Sequence, residues 1–114
     1  MQDILTHVAD GVLTLTINRV DKKNSFTPTM YAAMADGLEQ AKADPAIRVT
    51  VIQGDITVFS AGNDIGDFLQ RKPSTQESPV FQFLRAIASH PKPVIAAVCG
   101  PAVGIGTTML FHCD

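Results

Sequence analysis

The chain has 114 residues, of which 46% are hydrophobic and 18% charged, and its net charge at pH 7 is −2. This length and composition predict one globular domain over residues 1–114. A slightly acidic chain without a basic stretch is not expected to bind nucleic acid. No run reaches the roughly 18 apolar residues of a membrane helix, the first residues do not resemble a signal peptide, and two cysteines give no disulfide framework. We therefore expect a cytoplasmic protein that does not enter a membrane.

The low charge is unusual for a small monomer, since charged residues make up about a quarter of an average domain. Mean hydropathy is also high, at +0.16. We therefore expect part of the surface to be covered, either by further chain or by partner subunits.

The first half of the chain predicts a hairpin and a helix. Asp10-Gly11 lies between two apolar stretches, which is a strong hairpin signal, and residues 12–17 alternate as in a half-buried strand. A polar loop at 19–26 follows. Thr27-Pro28 has the form of an N-cap and first helical position, and Asp44-Pro45 ends the helix. The apolar stripe of this helix consists of Met30, Ala33, Met34, Gly37, Leu38 and Ala41.

Residues 48–66 predict two short strands and a glycine turn. RVTVIQG at 48–54 is rich in β-formers, and ITVF at 56–59 predicts a second strand. The glycine turn that follows leads into a short helix from Asp64.

Residues 71–100 predict a loop, a helix and a strand. RKPSTQESP at 71–79 is a charged segment, expected to be mobile. Ser78-Pro79 predicts the start of a helix that ends at His90-Pro91. KPVIAAVCG at 92–100 is a continuous apolar run, which predicts a strand buried on both faces. The resulting order, β-β-α-β-β-α-β-α, indicates an α/β chain.

Two stretches share one form, an apolar strand followed by small residues and a helix start. They are VFSAGNDI at 58–65 and AVCGPAVGIGTTM at 97–109. Such a turn leaves backbone N–H groups free, and the helix dipole adds to their positive potential. Fixed donors of this kind stabilise negative charge on one oxygen. Plain turn chemistry is the alternative for either stretch.

Other chemistry is poorly supported by the motifs. Gly104 and Gly106 extend neither to a dinucleotide fingerprint nor to a phosphate-binding P-loop. Ser60 lies outside any G-x-S-x-G motif, so a hydrolase nucleophile is not expected. No metal site and no cofactor are predicted, because the candidate metal ligands lack paired spacing. Those candidates are Cys99, His112, Cys113 and Asp114.

Taken in order, four motifs resemble those of the crotonase superfamily, the enoyl-CoA hydratase/isomerase proteins. They are LTINRV at 15–20, KKNS at 22–25, FSAGND at 59–64 and PKPVIAAVCGPAVGIG at 91–106. The resemblance runs from about Val12 to Asp114. It implies a crotonase-like ββα spiral core, truncated before the C-terminal helical region, and an acyl-CoA thioester as substrate.

The resemblance also implies a site. It places an oxyanion hole on the backbone N–H groups of Asn63 and Ile105, where the enolate of the thioester would be stabilised. Lysines near the CoA phosphates make electrostatic sense, although solvated loop lysines account for them equally well. The residues implied to contact the substrate are Lys22, Lys23, Ser60, Ala61, Asp64, Ile65 and Gly104. Family members form homo-oligomers, either trimers or dimers of trimers.

The reaction depends on position 108. Hydratases of the family carry a glutamate two residues past the last glycine of the turn, where this chain has Thr108. A threonine hydroxyl cannot act as a general acid or base near neutral pH. The turn therefore looks more like the Δ3-Δ2-enoyl-CoA isomerase branch, in which one glutamate from a later segment moves a proton between C2 and C4. Hydration, another crotonase reaction and a non-catalytic acyl-CoA-binding or assembly fragment remain as alternatives.

No acidic residue in this sequence matches the catalytic position of the family. Asp64 is interpreted as structural or as a turn cap, and not as the base. We therefore expect an N-terminal portion of a longer isomerase-like protein. The chain alone is expected to be oligomeric or poorly soluble, because apolar surface would face water.

Overall fold

A computed structural model of the chain describes residues 2–66 and 78–114. The elements in order are β1 (Ile4–Ala9), β2 (Val12–Ile17), α1 (Pro28–Ala43), β3 (Val49–Gln53), α2 (Pro79–Ala88), β4 (Val94–Ala97) and α3 (Ile105–Thr108). Short 3-10 turns cover Val20–Lys22 and Met109–His112. The segment at 71–79 was predicted to be mobile, and its residues 71–77 lie outside the described residues.

The four strands form one sheet in the order β1-β2-β3-β4. β1 and β2 pair antiparallel, whereas β2 with β3 and β3 with β4 pair parallel. The predicted hairpin turn is present, and Asp10 and Gly11 have φ angles of 54° and 80°. Two successive positive φ angles match the twist of the strands on either side, which explains why this dipeptide closes the hairpin.

The core lies between the sheet and the two long helices. Leu13, Leu15 and Ile17 of β2 are fully buried, as their alternation predicts. The Oγ1 atom of Thr27 accepts a hydrogen bond of 3.3 Å from the backbone N–H of Met30, which confirms the predicted N-cap of α1. The core is one cluster that includes side chains from both helices and the sheet.

Three aromatic rings join the helices to the loop before α1. Phe26 lies 4.9 Å from Tyr31 and 6.5 Å from Phe83, and Tyr31 lies 5.7 Å from Phe83, measured between ring centroids. All three side chains are buried. No helix in the described parts of the chain has the length and apolar character needed to cross a bilayer.

The predicted strand at 56–59 is absent, and this prediction was wrong. Asp55 N–H donates to the Val58 carbonyl at 3.0 Å and Val58 N–H donates back to the Asp55 carbonyl at 3.3 Å. This tight turn uses locally the backbone groups that a strand would offer to a neighbour. Only an isolated bridge remains, between Ser60 and Ala102.

The prediction that the strand at 92–100 is buried on both faces was also wrong. Val94 is buried, but Ile95 is 43% exposed and Ala97 is also exposed. The cause is that the face bearing Val94 packs against the core, whereas the described residues leave the other face of β4 uncovered. At its start β4 is bonded to Asp114, whose N–H donates to the Val94 carbonyl at 2.7 Å.

Candidate active site

The two glycine turns identified in the sequence lie side by side. Ser60 N–H donates to the Pro101 carbonyl at 3.3 Å, and Val103 N–H donates to the Ser60 carbonyl at 2.9 Å. A Cβ atom added to Gly106 would lie 2.6 Å from the Ser60 carbonyl oxygen. Only glycine permits so close an approach of two backbones.

The turns touch at Gly62 and Gly104. Gly62 has a φ of +96°, and Gly104 has φ +59° and ψ −126°, which are conformations that side chains with a Cβ rarely adopt. A Cβ added to Gly104 would lie 3.6 Å from the Gly62 Cα. The residues directly after these two glycines are Asn63 and Ile105, so the structure brings the two predicted donors to neighbouring positions.

The backbone N–H of Asn63 is free because of how its neighbours are paired. Phe26 N–H donates to the Gly62 carbonyl at 2.7 Å, and Asp64 N–H donates to the Phe26 carbonyl at 2.9 Å. In such a parallel bridge the N–H of the middle residue points away from the partner chain. Within residues 2–66 and 78–114, no acceptor takes the Asn63 N–H.

The backbone N–H of Ile105 is free because it opens a helix. The first N–H groups of a helix have no partner within it. Gly106 N–H reaches the Val103 carbonyl at 2.9 Å, and Thr107 and Thr108 both donate to the Gly104 carbonyl at 2.9 Å. No such bond is made by the Ile105 N–H to the part of the chain that the structure describes. Two main-chain donors that are unpaired within residues 2–66 and 78–114 therefore lie on touching turns.

A buried asparagine fixes the loop beside this site. The Asn24 side chain accepts from Arg19 N–H at 2.7 Å and donates to the Val58 and Phe59 carbonyls at 3.2 and 3.1 Å. Its backbone carbonyl accepts a hydrogen bond from Ser60 Oγ at 2.9 Å. The sequence motifs included Asn24 only as a letter of KKNS. Its role in holding this loop becomes visible only in the structure, because a buried amide must find hydrogen-bond partners for its polar atoms.

The predicted substrate contacts are partly gathered at this loop. Lys22 and Lys23 are exposed, and Ala61 N–H donates to the Lys23 carbonyl at 3.0 Å. Ile65 is 75% exposed. Ser60 is fully buried, and its hydroxyl also accepts from Gly62 N–H at 3.1 Å, so its side chain serves the turn itself.

Asp64 lies beside the Asn63 donor but faces the loop. Its Oδ2 atom forms an ion pair of 2.9 Å with Arg19 Nη1. The same Arg19 nitrogen donates to the carbonyl and the hydroxyl of Ser25, each at 3.0 Å. This half-buried network supports the structural interpretation of Asp64.

Thr108 is exposed at the end of α3, three residues after Ile105. This spacing puts the Thr108 side chain on the helix face that bears Ile105. The threonine hydroxyl cannot act as a general acid or base near neutral pH. In the described ranges, 2–66 and 78–114, no three His, Cys, Asp or Glu side chains gather into a group that could hold a metal ion.

Comparisons with known proteins agree with this α/β chain and its glycine turns. The sequence model described as enoyl-CoA hydratase/isomerase matches residues 7–114. The 1,2-epoxyphenylacetyl-CoA isomerase of Escherichia coli K12 is 40% identical, with all of this chain and 46% of that protein covered. Peroxisomal enoyl-CoA delta isomerase 3 of Mus musculus is 34% identical, with 99% and 37% covered. Other curated relatives have hydratase names.

Solved structures give the same result. The structure of Pseudomonas aeruginosa OdaA superimposes with a TM-score of 0.96 at 53% identity, over all of this chain and 46% of that one. The fold is thus that of the crotonase enzymes. The chain belongs to the enoyl-CoA hydratase/isomerase family, and it spans less than half the length of the relatives named here.

Proposed function

We propose that this chain binds an acyl-CoA thioester with the carbonyl oxygen between the backbone N–H groups of Asn63 and Ile105. The observation that carries the proposal is a pair of donors on touching glycine turns that have no partner among the described residues. Negative charge gathers on that oxygen when a proton leaves the neighbouring carbon. Donors fixed beforehand stabilise such charge, and each contributes about 10²–10³ in rate in known enzymes.

The loop beside the hole supports binding of the CoA portion. Lys22 and Lys23 are exposed, and the backbone of Lys23 is bonded to Ala61, two residues before the Asn63 donor. The ammonium groups of these two lysines could pair with the phosphates of CoA. The exposed Ile65 offers an apolar contact on the other side of Asn63.

For the complete gene product we propose isomerisation, a shift of the double bond between positions 3 and 2 of an enoyl-CoA. Thr108 supports this choice, since water addition requires an acid–base group that threonine does not supply. Isomerisation needs one carboxylate and the hole, because the proton removed at one carbon is returned to another. Two of the relatives above are named as isomerases, while hydratase names among the others keep water addition as the alternative.

An assay of the complete gene product separates these reactions. A 3-enoyl-CoA should be converted to the 2-enoyl isomer faster than a 2-enoyl-CoA is hydrated. Brisk hydration without isomerisation would contradict the proposal.

A second candidate function is non-catalytic acyl-CoA binding. It is favoured by Asp64, the carboxylate next to the hole, which is paired with Arg19. Titration of the 114-residue chain with a 3-enoyl-CoA, after its intact mass has been verified, tests this role. Saturable binding of this CoA ester without its conversion would favour the non-catalytic role. We also propose that the protein acts as a homo-oligomer in the cytoplasm, as predicted from the sequence.

A further inference from the structure

Tyr31 is a buried polar side chain that the sequence motifs did not single out. It lies in the first turns of α1 and is 3% exposed. Its ring packs between Phe26, at 4.9 Å, and Phe83, at 5.7 Å. Because the ring is held on both sides, the position of its hydroxyl is fixed by the core.

The Tyr31 hydroxyl donates a hydrogen bond to Oδ1 of Asn63. Burial raises the pKa of Tyr31, so the hydroxyl keeps its proton and remains a donor at neutral pH. Asn63 itself is an exposed residue. The side chain of an exposed residue is thus tied to the aromatic core by a directional bond.

This bond adds a third anchor to the segment that bears the free N–H. Two main-chain bonds already join its neighbours to Phe26, one at Gly62 and one at Asp64. The bond at Gly62 holds the carbonyl end of the peptide group that carries the Asn63 N–H. The Tyr31 bond holds the Asn63 end of that group, through the side chain. Gly62, which precedes it, has no side chain to resist rotation of the shared peptide plane.

We propose that Tyr31 is a positioning residue for the oxyanion hole, acting through the Asn63 side chain on the direction of the Asn63 backbone N–H. The inference rests on the proposed function. A hole works only where its donors are aimed at the place where charge develops. A donor that is kept but less firmly aimed loses part of its effect, since small misplacements are costly in catalysis.

The test uses Tyr31→Phe in the complete gene product, because this change removes the hydroxyl and keeps the ring. The probe is butyryl-CoA labelled with ¹³C at the carbonyl, observed by isotope-edited infrared spectroscopy. In the unmodified protein the bound carbonyl should absorb at a lower frequency than in water, because two N–H groups polarise it. In Tyr31→Phe the lowering should be smaller. In the isomerisation assay with a 3-enoyl-CoA, kcat should fall about tenfold while KM changes less than about twofold.

Asn63→Ala removes the same bond from the other side and leaves the backbone N–H in place. If Tyr31 acts through this side chain, both variants should shift the carbonyl frequency equally, and the double variant should shift it no further. Ser89→Ala is the matched control. It deletes a helix hydroxyl bonded to the Arg85 carbonyl at 2.7 Å, away from the hole, and should leave frequency and kcat unchanged.

The outcomes are distinct. An unmodified protein that binds butyryl-CoA without lowering the carbonyl frequency would overturn the proposed function, and the role of Tyr31 with it. A normal lowering that persists in Tyr31→Phe, even with a reduced melting temperature, would overturn the positioning role alone. If Tyr31→Phe does not fold by circular dichroism, Asn63→Ala decides, and an unchanged frequency there would overturn the inference.

Discussion

Gly62 shows how one residue determines the geometry of the candidate hole. Its φ of +96° turns the chain so that Asn63 follows with its N–H free, and its missing Cβ leaves room for Val103. Sequence patterns predicted a glycine turn here, and the family resemblance placed the donor on Asn63. The residue patterns by themselves did not predict the contact with Gly104, because it depends on a bridge between segments about 40 residues apart in sequence.

Replacing Gly62 by alanine should disturb both stability and the hole. The new Cβ would lie 3.0 Å from the Val103 carbonyl oxygen, and the positive φ strains any residue with a side chain. We expect a loss of about 1–3 kcal/mol in the free energy of unfolding, measured by urea denaturation. Butyryl-CoA binding should weaken in parallel.

Gly66→Ala is the matched control for this prediction. Among the residues that the structure describes, a Cβ at Gly66 would meet only Asp64 Oδ1, at 3.5 Å, which is ordinary contact. Its effect should stay within about 1 kcal/mol. Equal losses for the two variants would contradict the strain assigned to Gly62.

At the scale of elements, periodicity and capping residues predicted the hairpin, α1, β3 and α2, since these signals are local. The strand at 56–59 was predicted on β-propensity alone, and the tight turn at Asp55 uses the same residues differently. The burial of β4 was predicted from composition. Whether a second face is covered depends on what packs there, which composition does not show.

Lys92 caps the C-terminal end of α1, a contact that composition does not predict. Its Nζ atom donates to the carbonyls of Ala41, Asp44 and Ile47 at 2.5, 2.9 and 2.8 Å. The last carbonyls of a helix lack partners within it, so this ammonium group closes the end of α1. It also joins α1 to the segment that leads into β4.

Lys92→Met should therefore lower the free energy of unfolding by about 1.5–3 kcal/mol, the usual worth of hydrogen bonds to a charged group. Urea denaturation is the measurement. Lys42→Met, an exposed lysine in the last turn of α1, is the control and should change stability by less than about 0.5 kcal/mol. If the two variants are equally stable, Lys92 is not the cap described here.

At the scale of the whole molecule, several large apolar side chains lie on the surface. Ile56 is 83% exposed, Ile65 75%, Val103 54% and Phe111 82%. Where such side chains adjoin one another, they mark surfaces that other protein covers. This placement explains the high mean hydropathy seen in the sequence.

The 114-residue chain by itself should therefore associate. Size-exclusion chromatography at micromolar concentration should show oligomers or loss of protein, and Phe111→Ser should reduce both effects. A clean monomer would contradict this prediction.

The central claim is that one oxygen binds to two backbone donors on adjoining turns. A crystal structure of the complete gene product with butyryl-CoA tests it most directly. The account predicts the thioester oxygen about 2.7–3.1 Å from both the Asn63 and the Ile105 nitrogen. A carbonyl bound elsewhere, or in contact with neither donor, would contradict it.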